Sequence, residues 1–279
     1  GGLVLNTAAG QMATGPRPLA LELDSLPFPA REFAERWRRR YHLAMRGSLY
    51  ALETSRGCPH RCTFCSVWRF YQGKMRFKSP ERVLEEMEGI RGRNVLVTDD
   101  NFLASVPRAE RIADLLLERG IRKRFIFQAR TDSVARHPDV VAKLRKAGFA
   151  TVFLGLEKID AEGLASIDKS NSVEHNEAAL RVLKKAGINT FGSLIVDPDY
   201  DEGDFRRLWE YVRRKAIPNA WFTVLTPLPG TELFEQLQDR LTTRNWEIFD
   251  LAHAVLPTRL GLEEFYRQYA RLYTAVYTP

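Results

Sequence analysis

The sequence alternates short apolar segments with amphipathic helical ones six times between residues 49 and 241. Segments rich in β-branched and aromatic residues are predicted to be strands at 49–55, 94–100, 124–130, 150–157, 189–197 and 220–227. Helices are predicted after them, at 80–91, 107–119, 133–147, 173–186, 203–216 and 231–241. Strands separated by helices pair in parallel, so this is predicted to be an α/β protein whose sheet is either open or curled into a barrel.

Polar residues end nearly every predicted strand. Asp99 and Asp100 end the second strand, Arg130 the third, Glu157 the fourth and Asp197 the fifth. The carboxyl ends of parallel strands meet at one edge of a sheet, and ligands of α/β proteins bind there. We therefore expect these side chains to surround one site.

All three cysteines of the chain, Cys58, Cys62 and Cys65, follow the first predicted strand within eight positions. Their odd number and close spacing argue against a disulfide framework and favour a reducing compartment such as the cytoplasm. Three interpretations are open. The cysteines form a zinc site with His60 as fourth ligand, they are unrelated buried thiols, or they hold a four-iron cluster with one iron left open.

The segment SRGCPHRCTFCS, with Phe64 directly before the third cysteine, resembles the signature of the radical S-adenosylmethionine (radical SAM) superfamily. The resemblance implies a partial (β/α)6 TIM-like barrel and a 4Fe-4S cluster held by Cys58, Cys62 and Cys65. It also implies that SAM binds the open iron, where one electron cleaves it to a 5′-deoxyadenosyl radical that abstracts hydrogen from the substrate.

The same resemblance assigns roles around the cysteines. Phe64 is expected to shield the cluster, and Asp99 or Asp100 to bind the SAM amino group. A carboxylate facing an ammonium is electrostatically favourable. The alternative is that one of the two aspartates caps the following helix, a role for which Ser105 is a further candidate.

The later strands carry the remaining implied contacts. Arg130 is expected to bind the methionine carboxylate, with an ion pair to Asp132 or Glu157 as the alternative. Glu157 is expected to accept hydrogen bonds from the ribose hydroxyls. Ser193 and Leu225 are expected near the adenine.

Two positions leave the family's pattern. Lys158 stands where relatives commonly have serine, and Asp197 stands where many have glycine. The sequence does not assign a role to either residue.

Further segments, among them LDSLPFPAR, TDDNF, FQARTD, FLGLE and LTPLPGTELF, resemble the class in which a cobalamin-binding domain precedes the radical SAM domain. Residues 1–31 are accordingly predicted to be a linker, with a hairpin at LVLNT and AAGQMAT, that follows a cobalamin domain absent from this chain. Residues 32–244 are predicted to form the barrel. Residues 245–279 are predicted to be a C-terminal extension with a final helix that covers part of the barrel or its open side.

The segment NWEIFDLAHAVLPTRLGLEEFY within this extension is most similar to hopanoid C-3 methylases. The implied activity is cobalamin-dependent methylation of an unactivated carbon of a lipid such as a hopanoid. Trp246, Phe249 and Tyr266 are candidates for an apolar substrate channel, with a plain core role as the alternative.

The implied partners are an apolar small-molecule lipid and an electron donor. An anionic membrane surface is a further expected partner. It is indicated by the net charge of +7 and by the cluster Arg36–Trp37–Arg38–Arg39–Arg40–Tyr41. No nucleic acid is expected. The open alternatives are another cobalamin-class radical enzyme (a cyclase or a methylase of a polar substrate) and a non-catalytic metal- or nucleic-acid-binding module.

Overall fold

The computed structural model describes residues 2–42, 47–217 and 219–277. The strands in this part of the chain are β1 (Val4–Thr7), β2 (Gly10–Ala13), β3 (Leu49–Leu52), β4 (Ser55–Arg56), β5 (Arg76–Phe77), β6 (Asn94–Val97), β7 (Arg124–Arg130), β8 (Phe149–Glu157), β9 (Asn189–Val196) and β10 (Asn219–Val224). Six of them form one sheet in the order β10-β9-β8-β7-β6-β3. Every neighbouring pair in it is parallel, so the predicted α/β class is confirmed.

Eleven α-helices lie in the described part of the chain, and the longer ones that follow the sheet strands pack apolar residues against its outer face. The eleven are α1 (Glu32–Glu35), α2 (Val67–Phe70), α3 (Pro80–Glu88), α4 (Val106–Glu118), α5 (Thr131–Arg136), α6 (Pro138–Lys146), α7 (Ala161–Ser166), α8 (Val173–Ala186), α9 (Glu202–Arg214), α10 (Glu232–Leu237) and α11 (Leu262–Tyr277). Ser79 begins α3 as predicted, accepting a hydrogen bond from the Arg82 backbone N–H before the proline at the first helical position.

Several predicted elements differ from the observed ones. The helix predicted at 133–147 is two helices, because Pro138 has no backbone N–H to continue α5 and instead begins α6. The strands predicted at 49–55 and 94–100 end at Leu52 and Val97. The polar residues beyond these two ends bind one another instead of extending the sheet.

The two faces of the sheet differ in burial. Alternate residues, such as Val95, Phe127 and Leu154, are fully buried in the core between the sheet and its helices. The residues between them point to the opposite, inner face, because side chains alternate along a strand. This inner face is the part of the fold that stays accessible.

The C-terminal extension covers the β10 edge of the sheet. Helix α11 packs against α9 and β10. The hydroxyls of Tyr269 and Tyr273 both donate to the backbone oxygen of Phe222, at 2.7 and 3.1 Å, and the N–H of Val224 donates to the Leu251 oxygen at 2.7 Å. The exposed edge of β10 is therefore closed by the chain itself.

At the other end of the chain, β1 and β2 pair antiparallel, with Leu5 opposite Met12, in the hairpin predicted from LVLNT and AAGQMAT. None of the helices in the described residues is long and apolar enough to cross a membrane.

Candidate functional site

The cysteine-bearing loop between β4 and α2 is tied to loops that follow the sheet strands. The Thr63 N–H donates to the Ile167 oxygen, after β8, at 3.2 Å, and the Thr63 oxygen accepts from the Leu233 N–H, after β10, at 3.0 Å. The indole N–H of Trp68 donates to the Cys62 oxygen at 3.2 Å. These bonds hold the three thiols at the mouth formed by the carboxyl ends of the strands.

Gly57 is required where this loop begins. Its φ is +99°, and a Cβ at this position would lie 2.4 Å from the Lys74 backbone oxygen. The Gly57 backbone, held in this position, donates its N–H to Asp100 Oδ2 at 3.1 Å. Any side chain here would displace both the loop and its contact with the end of the second sheet strand.

The three thiols lie in one electrostatic environment. Burial raises the pKa of Cys58 and Cys62 and raises the pKa of Cys65 to about 11. Negative charge on one thiolate raises the pKa of another within the group, while the nearby Arg130 guanidinium lowers that of Cys58 and of Cys62. The thiols therefore influence one another's charge, and Cys58 and Cys62 lie near a fixed positive charge.

The donor set at this loop fits an iron–sulfur cluster. Within residues 2–42, 47–217 and 219–277, no group of three or more His, Cys, Asp or Glu side chains is spaced to hold a single metal ion, which gives no support to a zinc site with His60. A four-iron cluster is larger and takes each thiolate at a different iron. Thr63 Oγ1 and both amide atoms of Asn101 are buried with no hydrogen-bond partner among the described residues. These polar atoms are therefore available for hydrogen bonds to a bound group.

Asp99 and Asp100 have different partners. The Asp99 carboxylate is fully buried and accepts four hydrogen bonds, from the backbone N–H and the hydroxyl of both Thr54 and Ser55. Asp99 therefore joins the ends of β3 and β6. Asp100 is only partly buried, its Oδ2 accepts from the Gly57 N–H, and burial raises its pKa. Of the two predicted ligands of the amino group, Asp100 has the free carboxylate oxygen.

Arg130 lies at the end of β7, buried against the cysteine loop. Its Nε donates to Asp132 Oδ1 at 3.0 Å, its Nη2 to the Ser170 oxygen at 2.9 Å, and its Nη1 lies 3.9 Å from Cys62 Sγ. The alternative expected from the sequence, an ion pair with Asp132, is thus present. It does not exclude a bound carboxylate, because a guanidinium offers five N–H donors.

Glu157 ends β8 in a left-handed backbone conformation, with φ +64°, after a register shift in the β8–β9 pairing. Non-glycine residues pay a conformational penalty in this region, which surrounding contacts must offset. Asn176 of α8 provides them, since its side-chain N–H donates to the Leu156 and Lys158 oxygens on either side at 3.1 and 3.2 Å. The bent backbone turns the Glu157 carboxylate away from the regular strand direction.

Lys169 is a site residue that the sequence interpretation missed. Its buried ammonium donates to Glu157 Oε1 at 2.8 Å and to the Gly155 oxygen at 2.7 Å, and its charge lowers the pKa of Cys62. It comes from the loop after α7, which has no periodicity that would place it. Asn176 was missed as well, although a lone asparagine on the buried face of a helix is a recognisable signal.

Lys158 and Asp197 bind each other. Lys158 Nζ lies 2.5 Å from Asp197 Oδ1, donates to the Ile195 oxygen at 3.2 Å, and stands 5.6 Å from the centre of the Tyr200 ring. The pair joins the end of β8 to the end of β9. Burial lowers the pKa of Lys158 in spite of the carboxylate, so the desolvation cost outweighs the attraction.

The inner face of the sheet leads to this mouth. Parallel register places Arg130, Gly155, Ser193 and Trp221 in one row across β7, β8, β9 and β10. Ser193 is therefore in the row that contains Arg130. The preceding row holds Gln128, Phe153, Phe191 and Asn219, so its two central members are aromatic.

Apolar side chains line this inner face. Phe153 and Phe191 face each other across β8 and β9, and Phe153 and Trp221 are 36% and 51% exposed. Leu225 follows β10, where its N–H donates to the Val196 oxygen at 2.8 Å, and Phe64 is half-buried in the cysteine loop. Large aromatic groups exposed on a concave face are suited to an apolar ligand.

The candidate aromatic residues of the C-terminal extension lie in two different environments. Tyr266 packs against the core and accepts from the Ala254 N–H at 2.7 Å. Trp246 is exposed and contacts Phe249, with ring centroids 4.8 Å apart. Tyr266 thus takes the core role, while Trp246 remains a candidate for the channel.

Comparison with known proteins shows to which family this chain belongs. Residues 52–212, more than half of the chain, match the family model described as "Radical SAM superfamily". The chain is 37% identical over 252 residues to the hopanoid C-3 methylase of Methylococcus capsulatus, covering 89% of this chain and 48% of that protein. It is 29% identical over 230 residues to the hopanoid C-2 methylase of Rhodopseudomonas palustris, covering 78% and 42%. The chain therefore spans about half the length of these relatives.

Solved structures share the fold. The cobalamin-dependent SAM radical enzyme OxsB, with aqua-cobalamin and SAM bound, matches with a TM-score of 0.72 at 17% identity, over 92% of this chain and 44% of that one. The radical SAM methyltransferase TsrM from Kitasatospora setae matches with a TM-score of 0.62 at 18% identity, over 86% and 50%. At these identities the likeness shows the fold alone, and it confirms the partial (β/α)6 TIM-like barrel.

Proposed function

Since this chain belongs to the radical SAM superfamily, whose members use a 4Fe-4S cluster and SAM, we propose that it is the radical domain of a C-methyltransferase acting on an apolar lipid such as a hopanoid. The observation that carries the proposal is that the cysteine loop is tied through Thr63 to the segments after β8 and β10, at the end of a sheet whose inner face exposes aromatic side chains. Polar cofactor contacts beside an apolar surface suit radical chemistry on an apolar substrate.

Cys58, Cys62 and Cys65 would hold the cluster, and the bound cluster would supply the electron that cleaves SAM. Cys62 is buried, whereas Cys58 and Cys65 are partly exposed. The Arg130 guanidinium, next to Cys62 Sγ, stabilises negative charge on that sulfur.

The charged residues around the mouth would bind SAM. The free oxygen of Asp100 accepts from the amino group, and the unused donors of Arg130 bind the carboxylate. Glu157, turned into the mouth by its left-handed backbone, accepts from the ribose hydroxyls through the oxygen that Lys169 leaves free. Ser193 and Leu225 lie beside the adenine.

The proposed substrate is apolar. Phe153, Phe191 and Trp221 give the inner face aromatic surface but no charge, which suits a hydrocarbon ring system better than a charged metabolite. Two of the relatives named above are methylases of hopanoids, and this supports the same substrate class. Such a substrate resides in a bilayer, so the enzyme must approach a membrane surface.

Two further partners complete the proposal. Cobalamin, held by a domain outside these 279 residues, is proposed as the source of the methyl group, in keeping with the cobalamin-dependent structural relatives. An electron donor of a reducing compartment such as the cytoplasm is proposed to reduce the cluster.

Anaerobic reconstitution with iron and sulfide tests the radical domain. The wild-type chain is expected to bind four irons, to absorb broadly near 400 nm, and to release 5′-deoxyadenosine from SAM with a reductant present. Cys62→Ala is expected to lose all three signals, and Ser66→Ala, an exposed change beside the same loop, to keep them. A wild-type chain that binds no cluster would contradict the proposal.

The substrate needs a separate experiment. The full-length gene is expressed in a host that makes unmethylated hopanoids, and the extracted lipids are analysed by mass spectrometry. A new product heavier by one methyl group supports the hopanoid, and it must disappear with Cys62→Ala. If only unmethylated hopanoids are found, the substrate assignment is wrong.

A further inference from the structure

A basic and aromatic segment, residues 33–41, lies along the free edge of β3. The Tyr41 oxygen accepts from the Leu49 N–H at 2.9 Å, and Glu35 accepts from the Tyr50 hydroxyl at 2.9 Å. Phe33, Trp37 and Tyr41 are nevertheless 78%, 40% and 56% exposed. This basic aromatic segment is thus fixed to the barrel while its three aromatic side chains remain exposed.

Arginines surround the exposed tryptophan. The guanidinium carbons of Arg36 and Arg40 lie 5.1 and 4.7 Å from the centre of the Trp37 ring. Arg38 makes one ion pair, with Glu35 at 3.7 Å, and no carboxylate in the described part of the chain pairs with Arg36, Arg39 or Arg40. The segment therefore presents unneutralised positive charge around an aromatic ring.

The same segment forms one wall of a cavity of about 600 Å³. Ala34, Arg38, Arg40 and Tyr41 line the cavity from the segment, while Leu49, Ala51 and Leu96 line it from β3 and β6. Charged side chains also contribute to its wall, among them Glu53, Arg56, Lys78 and Glu86. The residues of these two strands belong to the inner face, since the alternate residues Leu52 and Val97 are buried in the core. The cavity thus connects the basic aromatic segment to the apolar inner face.

We propose that the basic aromatic segment docks on an anionic lipid bilayer and brings the edge cavity to the membrane, so that the lipid substrate enters the barrel from the bilayer. Arginines bind lipid phosphates, and aromatic side chains beside them enter the boundary between headgroups and acyl chains. A nucleic acid would satisfy the arginines, but it has no hydrocarbon part to fill the adjoining cavity. The route rests on the proposed lipid substrate, whereas the docking itself does not.

Vesicle binding by the whole chain tests the docking. The wild type is expected to sediment with vesicles of phosphatidylcholine containing phosphatidylglycerol, and not with phosphatidylcholine alone. Arg36→Gln with Arg39→Gln is expected to weaken this binding about 25-fold, at roughly fivefold for each arginine near the surface. The control, Lys184→Gln with Lys185→Gln, removes equal charge from exposed positions on α8 and is expected to change binding less than about twofold.

Tryptophan fluorescence locates the contact. The wild type is expected to show a blue shift with the anionic vesicles that Trp37→Phe lacks, because Trp37 alone leaves water. Phe33→Ser is expected to weaken vesicle binding without changing the folded far-ultraviolet circular dichroism, since Phe33 is exposed.

Three outcomes would overturn the docking. They are no binding of the wild type to anionic vesicles, equal loss in the two charge variants, and tighter binding to a short single-stranded RNA than to the vesicles. Formation of 5′-deoxyadenosine is measured on the same wild-type preparation without vesicles. A preparation that forms it but binds no vesicles refutes the docking alone, whereas one that binds vesicles and forms none refutes the proposed function alone.

Discussion

Lys158 and Asp197, the two residues expected from the sequence to depart from the family's pattern, are partners in one ion pair, with Lys158 Nζ 2.5 Å from Asp197 Oδ1. The lysine side chain is almost completely buried, and the aspartate side chain is 27% exposed. Each departure therefore accounts for the other. A lysine after β8 needs a carboxylate at the end of β9, and a glycine there would leave the ammonium buried without a charged partner.

This asymmetry in burial predicts unequal effects of the two single substitutions. Asp197→Asn leaves a buried ammonium unpaired and is expected to cost about 3 kcal/mol of unfolding free energy. Lys158→Met removes the buried charge and leaves a carboxylate that water can reach, so it is expected to change stability by less than about 1 kcal/mol. Urea unfolding at neutral pH measures both, with Lys184→Met as the exposed control.

The pH dependence of the same pair follows from the lowered pKa of Lys158, which burial causes. The unfolded chain keeps the ordinary, higher value, so between the two values it binds more protons than the folded chain. The free energy of unfolding should then rise with pH through that alkaline window, and more steeply in the wild type than in Lys158→Met. Equal slopes would contradict the assignment.

Substitutions of Asp99 and Asp100 should distinguish a structural role from a role in SAM binding. Asp99→Asn replaces an acceptor of four hydrogen bonds by an amide that accepts through one oxygen, and it is expected to lower stability by about 3 kcal/mol. Asp100→Asn should leave stability within about 1 kcal/mol and weaken SAM binding about tenfold, as expected for loss of one charged hydrogen bond. Calorimetric titration of reconstituted protein and thermal unfolding measure the two effects, with the exposed Asp239→Asn as control.

The raised pKa of Asp100 adds a pH test to this comparison. Because burial makes this carboxyl protonate at a higher pH than an ordinary aspartate, SAM affinity should fall as mildly acidic pH is approached. Asp100→Asn should remove that dependence. If Asp99→Asn, rather than Asp100→Asn, abolishes SAM binding in a chain that remains folded, the roles are reversed.

Arg130 is expected to depend on its fork-shaped guanidinium and not on charge alone. It contacts Asp132, the Ser170 oxygen and Cys62 with three different nitrogens, and one ammonium cannot reach all three. Arg130→Lys should therefore weaken SAM binding about tenfold or more, while Arg136→Lys, on the exposed side of α5, should not. Retention of full affinity by Arg130→Lys would refute a contact between the guanidinium and the methionine carboxylate.

Much of the fold could be predicted from the sequence because local signals and tertiary packing agree. The bounds predicted for β7 and α8 match the observed ones, since apolar periodicity and a terminal glycine mark them. The prediction of one helix at 133–147 was wrong because it ignored Pro138. Proline has no backbone N–H to continue α5, and it is favoured at the first position of a helix, where α6 begins.

The site was less predictable, for a geometric reason. Asp99 and Asp100 are neighbours in the sequence, but their side chains point in opposite directions. The Asp99 side chain is buried, and the Asp100 side chain is directed to the mouth. Lys169 comes from an irregular loop after α7, so neither spacing nor periodicity relates it to Glu157. The left-handed conformation of Glu157 is invisible in the sequence, because glutamate carries no local preference for it.

The edge of β10 provides a prediction for the C-terminal extension. The Tyr269 and Tyr273 hydroxyls share one acceptor, the buried Phe222 oxygen, so each can satisfy it when the other is removed. Tyr269→Phe and Tyr273→Phe are each expected to cost below about 1 kcal/mol, whereas the double variant leaves the oxygen unsatisfied and should cost about 2 to 3 kcal/mol, more than the sum. Urea unfolding of the four species in this cycle measures the coupling, and Tyr277→Phe, at the exposed end of α11, is the control. Strictly additive losses would show that the two hydroxyls do not act on the same oxygen.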